Sequence, residues 1–463
     1  MINLLTPVSK LKMKTTFTHI LCFLIVVFAS IRGVFVYHLD FPSNITYPIS
    51  ALMILGLGVI SLIGLLSSRL DVPLVFFKNV VILNVICFIF LTFATFLIDL
   101  ESGVITTTVL TMFYFFLVFP TVFVFLRCDD KLLDGIVYII SFFTVVGVYY
   151  FFNLGVSAGF DAIKEAHSIM RPGDFRYSRV GINLLPFGYA GSHHDTANIL
   201  VMCGIFFLSK FFICSHWVKS LLYLSCYFVI LSAAILTGSG ANVLVLLFMS
   251  TIGLLYYVPK TLTTMLVSFS LLLGSLFLIT LLVPTEILNQ LFKLGYVFEK
   301  LNTVTIDSAL WAGLDAQSIE DSMLSVVFGF GDTFNSPLSL SEVAFIGILS
   351  KIGLLPFIIF LSIGFSPIYY VFVFRLNRSR CIKILKSNIT KNLTADFIRD
   401  SRVQEFQIFM LAMPALAGFL TLIHYGSVLR ITSIGLLCVL LSIFFKEYLK
   451  ARKSIKSYSL EKC

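Results

Sequence analysis

Arg171, Arg176 and Arg179 stand close together in a chain that is mostly Phe, Leu, Ile and Val, and His193, His194 and Asp195 follow within the same stretch, "DFRYSRVGINLLPFGYAGSHHDTANIL" (Asp174 to Leu200). Arginine presents a planar fork of donors that matches phosphate oxygens. Only Asp174 opposes these three locally, so as a group they suit an anionic ligand; any one of them alone better suits a lipid head group or an acid of the second loop. Histidine exchanges a proton near neutral pH, and a neighbouring carboxylate can orient it. The same residues also read as a polar helix start, with Ser192 or Asp195 as the N-cap.

A second group lies in "GFGDTFNSPLSLSEVAFIGILSKIG", where Gly329, Gly331 and Asp332 form a tight turn and Glu342 opens the next apolar run. Glu342 suits a general base, and with Ser339 it also fits a capping box. The glycines are not a dinucleotide fingerprint, because no strand precedes them. The segment before them is acidic, with Glu286, Glu299, Asp307, Asp315, Glu320 and Asp321, most of which read as solvated. Arg32 and Arg430 fall inside apolar runs, where snorkelling to the interface is the ordinary arrangement. "LTGSGAN" (Leu236 to Asn242) reads as a bare tight turn. The nine cysteines show no CxxC or metal-type spacing, so neither a metal site nor a disulfide framework is expected.

The elements that position these residues follow from composition. The 463 residues are 58% hydrophobic and only 12% charged, and the mean hydropathy is +1.00. A soluble chain carries about 25% charged residues. Apolar runs of about 20 residues recur throughout, each long enough to cross a hydrocarbon core of about 30 Å. The expected fold is an all-α polytopic integral membrane protein, one domain over 1–463. Its transmembrane helices, about twelve, fall near 17–37, 45–67, 73–98, 104–126, 133–153, 195–214, 218–237, 240–258, 261–283, 353–374, 405–424 and 427–445. The run from Leu340 to Phe374 is too long for one span. It reads as a surface or re-entrant helix over 340–352, a break near Gly353 and Pro356, and one crossing.

On this layout most Lys and Arg fall on one side and most acids on the other. The positive-inside rule places the basic side and both termini in the cytoplasm. The net charge of +9 is then a topology signal, and no nucleic-acid partner is needed. Two outward loops are long, 154–194 and 284–338, and all the others are short; long loops usually carry function. The span centres are nearly free of charge, which argues against a transporter with a midplane site.

The span layout, the arginine-rich loop ending "RVGINLLPFGYAGSHHDTANIL", the "TGSGAN" turn and "GFGD…SEVAFIGILSKIGLLPFIIF" together resemble bacterial O-antigen polymerases, within a wider family that includes the O-antigen ligases. Arg176 and Arg179 precede Gly188 and Gly191 at a spacing near that of the family's arginine–glycine motif. The family turn often reads "TGSR", and Gly240 stands in place of that arginine. Ligases carry a histidine late in the second loop; this chain has none between Pro284 and Leu338, which favours polymerase. The resemblance implies an inner-membrane enzyme with periplasmic loops. Its substrate is undecaprenyl-pyrophosphate-linked oligosaccharide, and it needs no cofactor. Besides membrane lipids, a chain-length regulator protein is the implied partner. Arg171, Arg176, Arg179 and Arg430 would bind pyrophosphate, His194, His193 or Glu342 would accept a proton, and Asp195 and Asp332 would hold substrate. The alternatives are a ligase transferring glycan to lipid A core and, less favoured, a polysaccharide flippase or other transporter.

Overall fold

The computed structural model describes residues 8–67, 74–99, 117–170, 187–257, 323, 327, 344–388, 391–423 and 431–460. Among them there is no strand, and they are 90% helix. In chain order the helices are α1 (Val8–Ser30), α2 (Arg32–His38), α3 (Ser43–Leu66), α4 (Val75–Asp99), α5 (Thr121–Phe125), α6 (Asp130–Ala158) and α7 (Phe160–Met170). They continue with α8 (His193–Ile213), α9 (Trp217–Leu236), α10 (Gly240–Tyr257), α11 (Ala344–Ile352), α12 (Leu354–Asn388), α13 (Lys391–Leu420) and α14 (Ile431–Leu460); a short 3-10 turn, Thr421–Ile423, ends α13. Among the described residues, seven helices are long and apolar enough to cross a membrane, or eight if the bent pair α1–α2 is one span. The chain is an all-helical polytopic membrane protein. Two shorter apolar helices, Val75–Leu91 and Gly240–Tyr256, fall where further crossings are expected. Residues 104–116 and the expected span 261–283 lie outside the described residues.

The helices differ in how much they meet lipid. In α8 and α14, 78% and 83% of the apolar window is buried, against 33% in α9 and 39% in α3. So α8 and α14 form the centre of the bundle, and α3 and α9 turn Leu52, Ile60, Ile63, Leu221 and Leu222 outward. Apolar side chains on both faces suit a helix with protein on one side and hydrocarbon on the other. Hydroxyls inside the bundle close on their own helix: Ser61 donates to Leu57 O at 2.6 Å and Thr144 to Ile140 O at 2.6 Å. That satisfies them where no water is at hand.

Direction follows from cross-helix contacts. Thr421 meets Asn198, while Ser209 meets the Met410 carbonyl, so α8 and α13 are antiparallel. Gln404 donates to Ser454 at 3.2 Å, so α14 runs back along α13. The two ends of the bundle therefore differ. One holds the start of α6, the ends of α8 and α14, and the α12–α13 hairpin, with Asp130, Asp134, Lys210, Arg378, Glu405, Lys446 and Lys450 in ion pairs. α12 has 35 residues, about 50 Å at 1.5 Å per residue, so its charged half projects beyond an apolar core of about 30 Å. The other end, the polar end, holds α2, α7, the starts of α8, α10 and α14, and the 3-10 turn.

Two local features differ from the sequence reading. The first long loop is helical for much of its described length: α6 runs on to Ala158, Gly159 turns the chain at φ +85°, and α7 follows. α7 buries Ile163, Ala166, His167 and Met170, an i, i+3, i+4, i+7 stripe, and exposes Lys164 and Glu165; this amphipathic face gives it somewhere to pack. Second, Arg32 does not snorkel. The chain bends by 60° between α1 and α2, and Arg32 is buried with its guanidinium 4.7 Å from the Tyr47 ring centroid, a cation–π distance. The α11–α12 break lies at Gly353, where it is expected, and its φ of +81° is one few other residues tolerate.

Candidate functional site

The start of α8 is the described part of the expected site. Ser192 is the N-cap: its extended backbone leads into the helix, and its hydroxyl accepts from the Asp195 N–H at 3.1 Å. Asp195, third in the helix, adds negative charge at the positive end of the dipole. His193 and His194 are half-buried, with ring centroids 3.8 Å apart, and Asp195 is fully buried. A buried carboxylate acts on its neighbours and is not open to a bulky sugar.

The "TGSGAN" segment is more than a turn. Ser239 Oγ lies 3.2 Å from His194 Nδ1, and Asn242 Nδ2 donates to the His194 carbonyl at 3.3 Å. The turn between α9 and α10 thus fixes both ring and backbone of His194. A hydroxyl on Nδ1, which can donate or accept, sets the plane of the imidazole and so the direction of Nε2. Thr237, Ser239 and Asn242 are all buried.

On its other side the α8 start is held by residues 187–192. Thr196 donates to the Phe187 carbonyl, and the Phe187 ring stacks on Phe151 at 4.5 Å. Tyr189 O accepts from Gly33 N at 3.1 Å, and Tyr189 Oη lies 2.7 Å from His38 Nε2. Gly33 is needed for that approach, because a Cβ there would meet Tyr189 O at 2.3 Å. Gly188 and Gly191 take φ +55° and +81°, so this strap turns twice in four residues. Burial, with Tyr150 adding to it, raises the Tyr189 pKa and keeps the phenol neutral. Val36, Phe151, Ile163, Ala166, Met170, Phe187 and Tyr189 form an apolar cluster separate from the main core. It braces the strap from α2, α6 and α7.

Deeper in, Asn198 and Thr421 join α8 to the 3-10 turn, Thr421 donating to Asn198 Oδ1 at 2.9 Å. The structure thus brings His194, Ser239, Asn242, Asn198 and Thr421 to one end of α8. Arg171, Arg176, Arg179, Arg430, Asp332 and Glu342 lie outside the described residues. The sequence reading missed Ser239, Asn242, Tyr189 and His38 as partners of the site. Polar residues at the edges of apolar runs were the available signal; their pairing was not. No protein-family model matches the chain, and no curated protein does.

Proposed function

We propose that the protein is a glycosyltransferase of the O-antigen polymerase kind, in the bacterial inner membrane with about twelve spans and both termini cytoplasmic. It joins oligosaccharide repeat units carried on undecaprenyl pyrophosphate, at the periplasmic face. The observation that carries the reading is His194: half-buried, oriented through Nδ1 by Ser239, and placed at the end opposite the ion-paired basic end. By the positive-inside rule the basic end is cytoplasmic, so His194 is periplasmic.

In the proposed reaction an acceptor hydroxyl attacks the anomeric carbon of the lipid-linked donor. The bond from that carbon to the pyrophosphate oxygen breaks as the glycosidic bond forms. The hydroxyl proton passes to His194 and the electron pair leaves with the pyrophosphate, on which Arg171, Arg176, Arg179 and Arg430 would stabilise the charge. His193 and Glu342 are the alternative proton acceptors; His194 is preferred for its Ser239 contact. Asp195 supports the histidines from within, and Asp332 is left as a contact to sugar.

The test is a gel of surface polysaccharide from a strain lacking the gene and from a complemented strain. A ladder that collapses to core plus one repeat unit is the expected result. Bare core with accumulated lipid-linked polymer would make the protein a ligase, and an unchanged ladder would end the proposal.

A further inference from the structure

Among the described residues, three buried hydroxyls at the polar end have no hydrogen-bond partner: Ser30 and Thr432, each 2% exposed, and Ser433, 0% exposed. Elsewhere in the bundle many buried hydroxyls close on a carbonyl one turn back, as Ser50, Ser250 and Ser442 do, although Thr121 does not. Ser30 sits at the end of a helix where such a carbonyl is within reach, and does not use it. Thr432 and Ser433 lie in the first turn of α14, where no helical carbonyl stands behind them.

Ser30 and Thr432 lie on facing sides of α1 and α14. His19 lies within electrostatic range of Lys446, and a Cβ on Gly435 would stand 3.2 Å from Val26, so α1 and α14 run antiparallel in close contact. Ser30 is four residues beyond Val26, on the same face of α1; Thr432 is three residues before Gly435, on the same face of α14. Both therefore lie one turn beyond the Val26–Gly435 contact. The first turn of α14 also carries N–H groups with no intrahelical acceptor, at the positive end of a 30-residue helix. Two residues after Ser30 the chain bends, and Arg32, 4% exposed, is drawn into the protein.

Hydroxyls, helix N–H groups and a buried guanidinium are the groups that bind oxyanions. We propose that the start of α14, with Ser30, Arg32, Thr432 and Ser433, is an oxyanion site, and that its ligand is a phosphate group of a lipid-linked pyrophosphate. The site stands on the geometry; the choice of a lipid-linked ligand rests on the functional reading above. It adds to the loop arginines a cation held by the bundle itself.

The experiment uses the full chain in nanodiscs and measures the Kd of polyprenyl pyrophosphate and of inorganic pyrophosphate. Wild type is compared with Thr432→Val/Ser433→Ala, Arg32→Gln and Arg32→Lys, and thermal unfolding shows which variants are folded. Polyprenyl pyrophosphate is expected to bind at least about tenfold more weakly to Arg32→Gln and to the double variant, the scale of one hydrogen bond to a charged group. Arg32→Lys should lie between. An unchanged Kd in folded variants overturns the site; if Arg32→Gln does not fold, the double variant decides. Inorganic pyrophosphate bound as tightly, with the same dependence on these residues, keeps the site and removes the lipid-linked ligand. A collapsed ladder in the deletion strain alongside an unchanged variant Kd keeps the polymerase reading and removes this site.

Discussion

The two ends of the bundle use polar residues in opposite ways. At the ion-paired end charges meet charges: Asp130 takes Lys446 at 2.5 Å and Lys450 at 2.6 Å, Asp134 takes Lys210 at 2.7 Å, and Glu405 is held by Arg378 with Tyr256 at 3.3 Å. At the polar end hydroxyls, rings and amides meet across helices: His194 with Ser239, His38 with Tyr189, Thr421 with Asn198. A closed ion pair has used its charge and holds helices in register. An imidazole whose Nδ1 meets a hydroxyl is held in a fixed plane, as a proton-transfer group must be. The first arrangement suits anchoring, the second chemistry.

That contrast can be broken by substitution. His194→Ala should lower polymer formation by at least about 100-fold, the lower range for removing a positioned base, with little change in thermal unfolding. A full-length ladder at normal membrane level would remove His194 from the chemistry. Glu405→Ala should do the reverse. It leaves Arg378, with only 16% of its side chain exposed, without its acid, and should cost about 3 kcal/mol of stability. Polymer made per folded molecule should hold. If unfolding is unchanged, the ion-paired end is not an anchor.

Gly33→Ala tests whether the strap links stability to chemistry. Its Cβ would meet Tyr189 O and, at 2.8 Å, Met170 Sδ. Overpacking of this kind costs about 1–3 kcal/mol, and a displaced Tyr189 strap should lower both stability and activity. Loss of stability with activity intact would show that the strap does not position α8. The smallest effect is expected from Lys450→Ala. Lys450 is half-exposed and shares Asp130 with Lys446, so the change should be at most about 1 kcal/mol. A larger loss, measured by denaturant unfolding in detergent, would mean that this end is less solvated than its exposure implies.

Much of this was legible in the chain. Apolar runs of membrane length gave the helices that cross, because hydrocarbon forces every backbone group into an intrahelical bond. The Ser192 cap and the chain break at Gly353 were legible for similar local reasons: a hydroxyl three residues before an N–H, and a residue without Cβ. Arg32 misled because its fate depends on a bend that local pattern does not record. The stripe in α7 was legible at i, i+3, i+4, i+7 and was obscured by the polar residues between.

Local chemistry, then, determined membrane residence, the helical class and the presence of a His-His-Asp helix start. Only the tertiary structure decided what that start touches. Ser239 lies 45 residues from His194, Thr421 lies 223 from Asn198, and Tyr189 lies 151 from His38. Helix-period spacing fixes which face a residue occupies, but which helix that face meets depends on how all the apolar surfaces pack at once.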